Sequence, residues 1–132
     1  MLKYATLLLV LVYFGESKVS PIRFTSHPEV MDKLWNDCGK KRCMRFEDLL
    51  YNLEENGGGR VMKEYNVCIF RSLGVLNKDN QIDQGIAKKL VETFFPEDTE
   101  KILKECFGKR ICDLLNDIYE TSVCAIRNAN QL

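Results

Sequence analysis

Apolar residues return every three or four positions along most of this chain, and charged residues fill the faces between them. In the first such stretch Val30, Met31, Leu34, Trp35 and Cys38 recur at i, i+1, i+4, i+5 and i+8, a single stripe on a helix. Ahead of it Ser26-His27-Pro28-Glu29 reads as a capping box, with Ser26 accepting from the amide of Glu29 and Glu29 reaching back. Phe46, Leu49, Leu50 and Leu53 share a face in a second, short helix. It stops at Asn56-Gly57-Gly58-Gly59, because glycine tolerates the left-handed backbone that closes a helix. From Arg60 to about Leu76 the period continues through Val61, Met62, Tyr65, Cys68, Ile69, Ser72 and Leu73, until Asn77-Lys78-Asp79-Asn80 breaks it. Ile82, Ile86, Ala87, Leu90, Val91, Phe94 and Phe95 form a fourth stripe opposite Lys88, Lys89 and Glu92, ended by Pro96. Pro96 also opens a fifth helix, with Glu97, Asp98 and Glu100 at its positive end, Ile102, Leu103, Cys106 and Phe107 inside, and Gly108 as its stop. The sixth, from about Lys109 to Arg127, carries Ile111, Cys112, Leu114, Leu115, Ile118, Tyr119, Ser122, Val123 and Ile126. No segment reads as a strand of any length. Helices this short cannot bury their apolar sides singly, so the pattern predicts an all-α domain, a compact bundle of about six short helices.

The N-terminus departs from this period. After Lys3, Ala5 to Phe14 is an apolar run too short to span a bilayer, and Gly15-Glu16-Ser17 places small residues where a signal peptidase reads. The expectation is a signal peptide over residues 1–17, cleaved after Ser17, and a helical domain over residues 18–132 that is secreted, without membrane insertion. Secretion changes the meaning of the six cysteines, Cys38, Cys43, Cys68, Cys106, Cys112 and Cys124. In an oxidising compartment they predict three disulfides, and sequence alone leaves about 15 pairings open. The close spacings, C-x4-C and C-x5-C with no histidine nearby, do not fit a zinc site, so no metal or other cofactor is expected.

Charge removes further classes. Nineteen Lys and Arg balance 19 Asp and Glu, which gives no electrostatic case for a nucleic-acid partner. A 45% hydrophobic fraction with 29% charged residues argues for a folded chain. The one histidine, His27, sits at a helix start beside Pro28 and has no partner pattern for a Ser-His-Asp or Cys-His site, so the chain reads as no enzyme. Asp79-Asn80-Gln81-Ile82-Asp83 alternates oxygen-bearing side chains, but Gln84 and Leu90 stand where a calcium loop begun at Asp79 needs Gly and Glu. It reads as a loop and helix cap. What remains is apolar surface rich in methionine and aromatic rings, suited equally to an adaptable cavity and to an ordinary core.

The run from Cys68 through Leu73-Gly74-Val75 to Asp83 resembles the segment that follows the third cysteine of insect odorant-binding proteins: a cysteine, an amphipathic stretch, a Leu-Gly-apolar turn, then a polar loop before the fourth helix. Cys38, Cys106 and Cys124 fall where the family's first, fourth and sixth belong. Its second and fifth cysteine positions hold Glu64 and Leu115, as in the branch that lacks that pair. The resemblance implies bridges Cys38 to Cys68 and Cys106 to Cys124, and leaves Cys43 and Cys112, for which a relocated third bridge is expected. It also implies a bundle around an apolar cavity that carries odorants, pheromones or other lipid-like molecules through aqueous fluid, held open by its crosslinks. The wall residues expected from it are Met31, Trp35, Leu50, Met62, Phe70, Leu73, Leu90, Phe94, Ile118, Tyr119 and Val123, with Tyr119 and Ser122 to orient a ligand. The tail from Ala125 to Leu132 is a candidate latch over the mouth. The partner is then a small hydrophobic molecule, with a membrane receptor as a further candidate, and the chain a monomer or weak homodimer. The competing reading is a secreted helical signalling or venom-like protein, solid inside, that acts on a receptor through its surface.

Overall fold

The computed structural model describes residues 27–129. The expected signal peptide, the cap residue Ser26 and the latch residue Leu132 lie outside the described residues. Within them are six α-helices: α1 Pro28–Leu34, α2 Phe46–Glu55, α3 Arg60–Ser72, α4 Gln84–Phe94, α5 Thr99–Cys106 and α6 Leu114–Ala129. The only pairing of extended backbone among these residues is one isolated bridge, Leu76 to Ile82. The chain is all-α, as its period predicts.

Proline at its first turn starts α1, whose axis continues through a π turn, Trp35–Gly39, and a 3-10 turn, Lys40–Arg42. The extension ends at Cys43, in the left-handed region at φ 53°. Gly59, at φ 91°, opens α3, a backbone that a side chain rarely adopts. Asp83 caps α4 by accepting from the amide of Ile86 at 3.0 Å, so the Asp79–Asp83 segment is the loop and cap expected of it.

Three boundaries fall elsewhere than the period alone suggests, each for a local reason. Helix α3 stops at Ser72 because Gly74 turns left-handed and the amide of Val75 reaches back to the carbonyl of Phe70 at 2.9 Å. Helix α5 begins at Thr99 rather than Pro96, with Pro96–Asp98 forming a turn. Helix α6 begins at Leu114 rather than Lys109, because the Asp117 carboxylate accepts from the amides of Cys112 (2.7 Å) and Asp113 (2.9 Å) and draws those residues into a turn.

Those two backbone amides, Asp113 first, with Lys109 at 3.1 Å, hold the Asp117 carboxyl down at about 2 against an ordinary 3.8. A folded-state value below the unfolded one adds stability above about pH 4 and loses it as pH falls through 2. In acid titrations of stability, the gap between the native chain and Asp117→Asn is expected to be widest near neutral pH and to close in that window. A gap that stays constant down to pH 2 would remove this linkage.

The core is continuous, and α6 lies at its centre, packed against α3, α5 and α2. Two disulfides brace it. Cys38 to Cys68 ties the extension of α1 to α3, and Cys106 to Cys124 ties α5 to α6, with Cα separations of 5.8 and 5.5 Å. The third bridge is not formed: Cys43 and Cys112 are free, exposed thiols. That expectation placed Cys112 on the inward face of the last helix. The turn that Asp117 caps instead leaves it ahead of α6 on the surface.

Candidate functional site

Five helices surround an apolar cavity of about 80 Å³. Met31 and Leu34 enter from α1, Leu49, Leu50 and Leu53 from α2, Ile69 and Phe70 from α3, Leu90, Val91 and Phe94 from α4, and Ala125 and Ile126 from α6. Each helix contributes through its i, i+3, i+4 face, so the cavity is where five apolar stripes meet without quite closing. Phe107, beyond the end of α5, lays its ring parallel to that of Phe70 at 6.3 Å and covers one end. His27 sets its ring edgewise on Phe94 at 5.1 Å, joining the start of α1 to the end of α4.

Of the wall residues expected from sequence, Met31, Leu50, Phe70, Leu73, Leu90 and Phe94 come together around this space. The other five stand elsewhere. Ile118 and Val123 are buried in the packed core outside the cavity wall, and Met62 packs at its edge. Tyr119 is engaged structurally: its hydroxyl accepts from the amide of Gly58 at 2.9 Å and donates to Asn52, fixing the turn between α2 and α3. Trp35 is 37% exposed and borders a separate groove outside the cavity, with the Arg45 guanidinium 5.2 Å above its ring. The tail does not form a latch in its described part: Ala125–Ala129 continues α6, and Ala125 and Ile126 line the cavity from within.

Polar atoms enter the wall at one place. Asn66, 1% exposed, accepts from the Ser122 hydroxyl at 3.1 Å and donates to the carbonyl of Ile118 at 3.3 Å. Ser122 is the polar wall group expected from sequence, whereas Asn66 is a polar residue between inward positions that a search for apolar periodicity does not single out. Its register announces it, four after Met62 and three before Ile69. Because the two side chains satisfy each other, the cavity presents an apolar surface. Asn66→Leu alone strands the Ser122 hydroxyl and is expected to cost about 1–3 kcal/mol of stability, while Asn66→Leu with Ser122→Ala costs less than the single change. Denaturant unfolding of the two single variants and the double closes the cycle, and additive losses would refute the pairing.

Size sets a condition on binding. Cavities that take drug-sized ligands hold about 300–1,000 Å³, and an apolar cavity of roughly 150 Å³ takes one benzene. At 80 Å³ this one is contracted, neither solid nor ready to admit a chain of many carbons. Met31, Phe46, Leu73 and Leu90 are the half-buried members of its wall, and their rotamers govern its expansion.

No curated protein and no solved structure matched the chain. A family model does, over residues 25–128, and it takes in all six helices but for the last residue of α6, with the whole of the cavity wall. Helices, bridges, cavity and match converge: the chain belongs to the PBP/GOBP family, the small odorant-binding carriers of insects.

Proposed function

We propose that this protein is secreted after loss of residues 1–17 and carries small hydrophobic molecules, such as odorants, pheromones or lipid-like compounds, in the central cavity. The observation that carries the reading is an apolar cavity at the meeting point of five helices, in a domain braced by two disulfides. Membership supports it: proteins of this family are soluble secreted carriers, and the family is a binding family, not an enzymatic one. Among the described residues, no helix is long and apolar enough to cross a membrane.

The energetics fit a transport role. A ligand that buries about 300 Å² of apolar surface gains roughly 7 kcal/mol before association costs, which corresponds to micromolar or weaker affinity. Such a ligand is picked up and also released. The test is a fluorescence titration of the full secreted chain with N-phenylnaphthylamine, whose emission rises on entering an apolar site, followed by native mass spectrometry. Saturable uptake with one ligand per chain is expected. Absence of saturable uptake overturns the reading and favours the surface-acting alternative.

A further inference from the structure

The groove beside Trp35 shares its inner wall with the cavity. It lies between α1 and the start of α2, holds about 200 Å³, and is bordered by Pro28, Trp35, Met44 and Arg45. Met31, Leu34 and Phe46 line both spaces, so these three side chains form the partition between them. Met31 and Phe46 are only half-buried, and methionine changes rotamer at low cost. Separately each space is too small for a chain-like ligand. Joined, they approach the lower end of ordinary ligand sites, about 300 Å³.

Tyr65 also lines the groove. It is 1% exposed, yet among the described residues its hydroxyl has no hydrogen-bond partner, a costly state for a buried polar group. Burial first, then the carboxylates of Asp48 and Glu47, push its ionisation up to about 12, so the phenol is a neutral donor at any physiological pH. Glu47, one of the carboxylates acting on it, lines the same groove at the start of α2. Charge on the walls restricts what it can meet. Among the described residues Asp32 and Glu47 oppose the single lining cation Arg45, whose guanidinium is already over the Trp35 ring, so their balance disfavours an anionic head group.

We propose that this groove is a head-group subsite continuous with the cavity: Tyr65 donates a hydrogen bond to the oxygen of an uncharged alcohol, aldehyde or ester, whose aliphatic chain passes Met31 and Phe46 into the interior. The inference rests on the carrier reading above and adds the place of the head group, its donor and the orientation of the ligand. Trp35, the only tryptophan in the chain, reports on the groove directly.

The test uses the full chain, with dodecanol, dodecane and dodecanoate displacing N-phenylnaphthylamine while Trp35 emission is followed. Dodecanol is expected to shift Trp35 emission and to bind more tightly than dodecanoate. Tyr65→Phe is expected to weaken dodecanol about fivefold to tenfold and to leave dodecane unchanged, with a melting temperature no lower than that of the native chain, since the lost hydroxyl has no partner among the described residues. Four results overturn the proposal: dodecanol binding without change at Trp35, an equal effect of Tyr65→Phe on dodecanol and dodecane, a melting temperature well below native, or dodecanoate binding more tightly. In all four the carrier reading stands, because displacement is still observed. Failure of N-phenylnaphthylamine itself to bind removes the carrier reading, and the subsite with it.

Discussion

Replacing Cys38 and Cys68 together by alanine is expected to lower the unfolding free energy by about 3.5 kcal/mol, and with it the melting temperature by roughly 15 °C. The bridge closes a separation of 30 residues, against 18 for Cys106 to Cys124, so its loss returns more conformational freedom to the unfolded chain. Alanine is the proper replacement, because Cys38 is fully buried and a serine there would add an unpaired hydroxyl to the loss being measured. The effect reaches the cavity. Met31 and Leu34 on α1 face Ile69 and Phe70 on α3 across it, and the bridge fixes how far apart those helices stand. Loss of the bridge is therefore expected to weaken N-phenylnaphthylamine uptake as well as stability. A drop of less than about 1 kcal/mol in denaturant unfolding would mean that packing alone positions α1 on α3, and that the staple is dispensable to the carrier.

The helices of this protein are legible in its sequence because the apolar period is unbroken within each of them, and because their stops carry their own chemistry at Gly57-Gly58-Gly59 and Gly74. Starts are less legible. The turn ahead of α6 depends on Asp117, which reaches backward from inside the helix to hold two amides, and period alone cannot show such a contact. The misplaced start then carried Cys112 onto a helix it does not belong to, and the third bridge with it. For the cavity, period separates inward from outward positions but does not distinguish residues that bound empty space from those packed solidly. Ile118 and Leu50 look alike on their helices. Only the meeting of α2 with α4 and α6 leaves a void beside one and none beside the other. Asn66 was hidden for a different reason: its amide is inward-facing, and a search for apolar walls passes over it although its neighbours in register are apolar.

The same resemblance that identified the bridges marks two positions where this chain lacks one, and the structure brings them together: Glu64 on α3 and Leu115 on α6 line one shallow surface groove with Val67. Glu64→Cys with Leu115→Cys is expected to close spontaneously on oxidative folding. The loop it spans is longer than either native one, so the entropic gain is larger in principle, although engineered bridges commonly return less, about 2–4 kcal/mol, or a melting temperature higher by roughly 10–20 °C. What it displaces is minor, an exposed ion pair between Arg60 and Glu64 at 3.4 Å and one half-buried leucine. The readout separates bridging from packing. With the bridge closed, the count of reactive thiols remains at the two of Cys43 and Cys112, while an open pair raises it. A raised count, or a closed bridge with unchanged stability, would show that α3 and α6 are not held apart at the distance the groove implies. If the bridge closes and stabilises, α3 and α6 are locked together along the groove lined by Val67, and ligand entry is expected through the movement of Met31 and Phe46 instead. Uptake of N-phenylnaphthylamine at an unchanged rate in the bridged chain is the expected result, and slowed uptake would place the opening between α3 and α6.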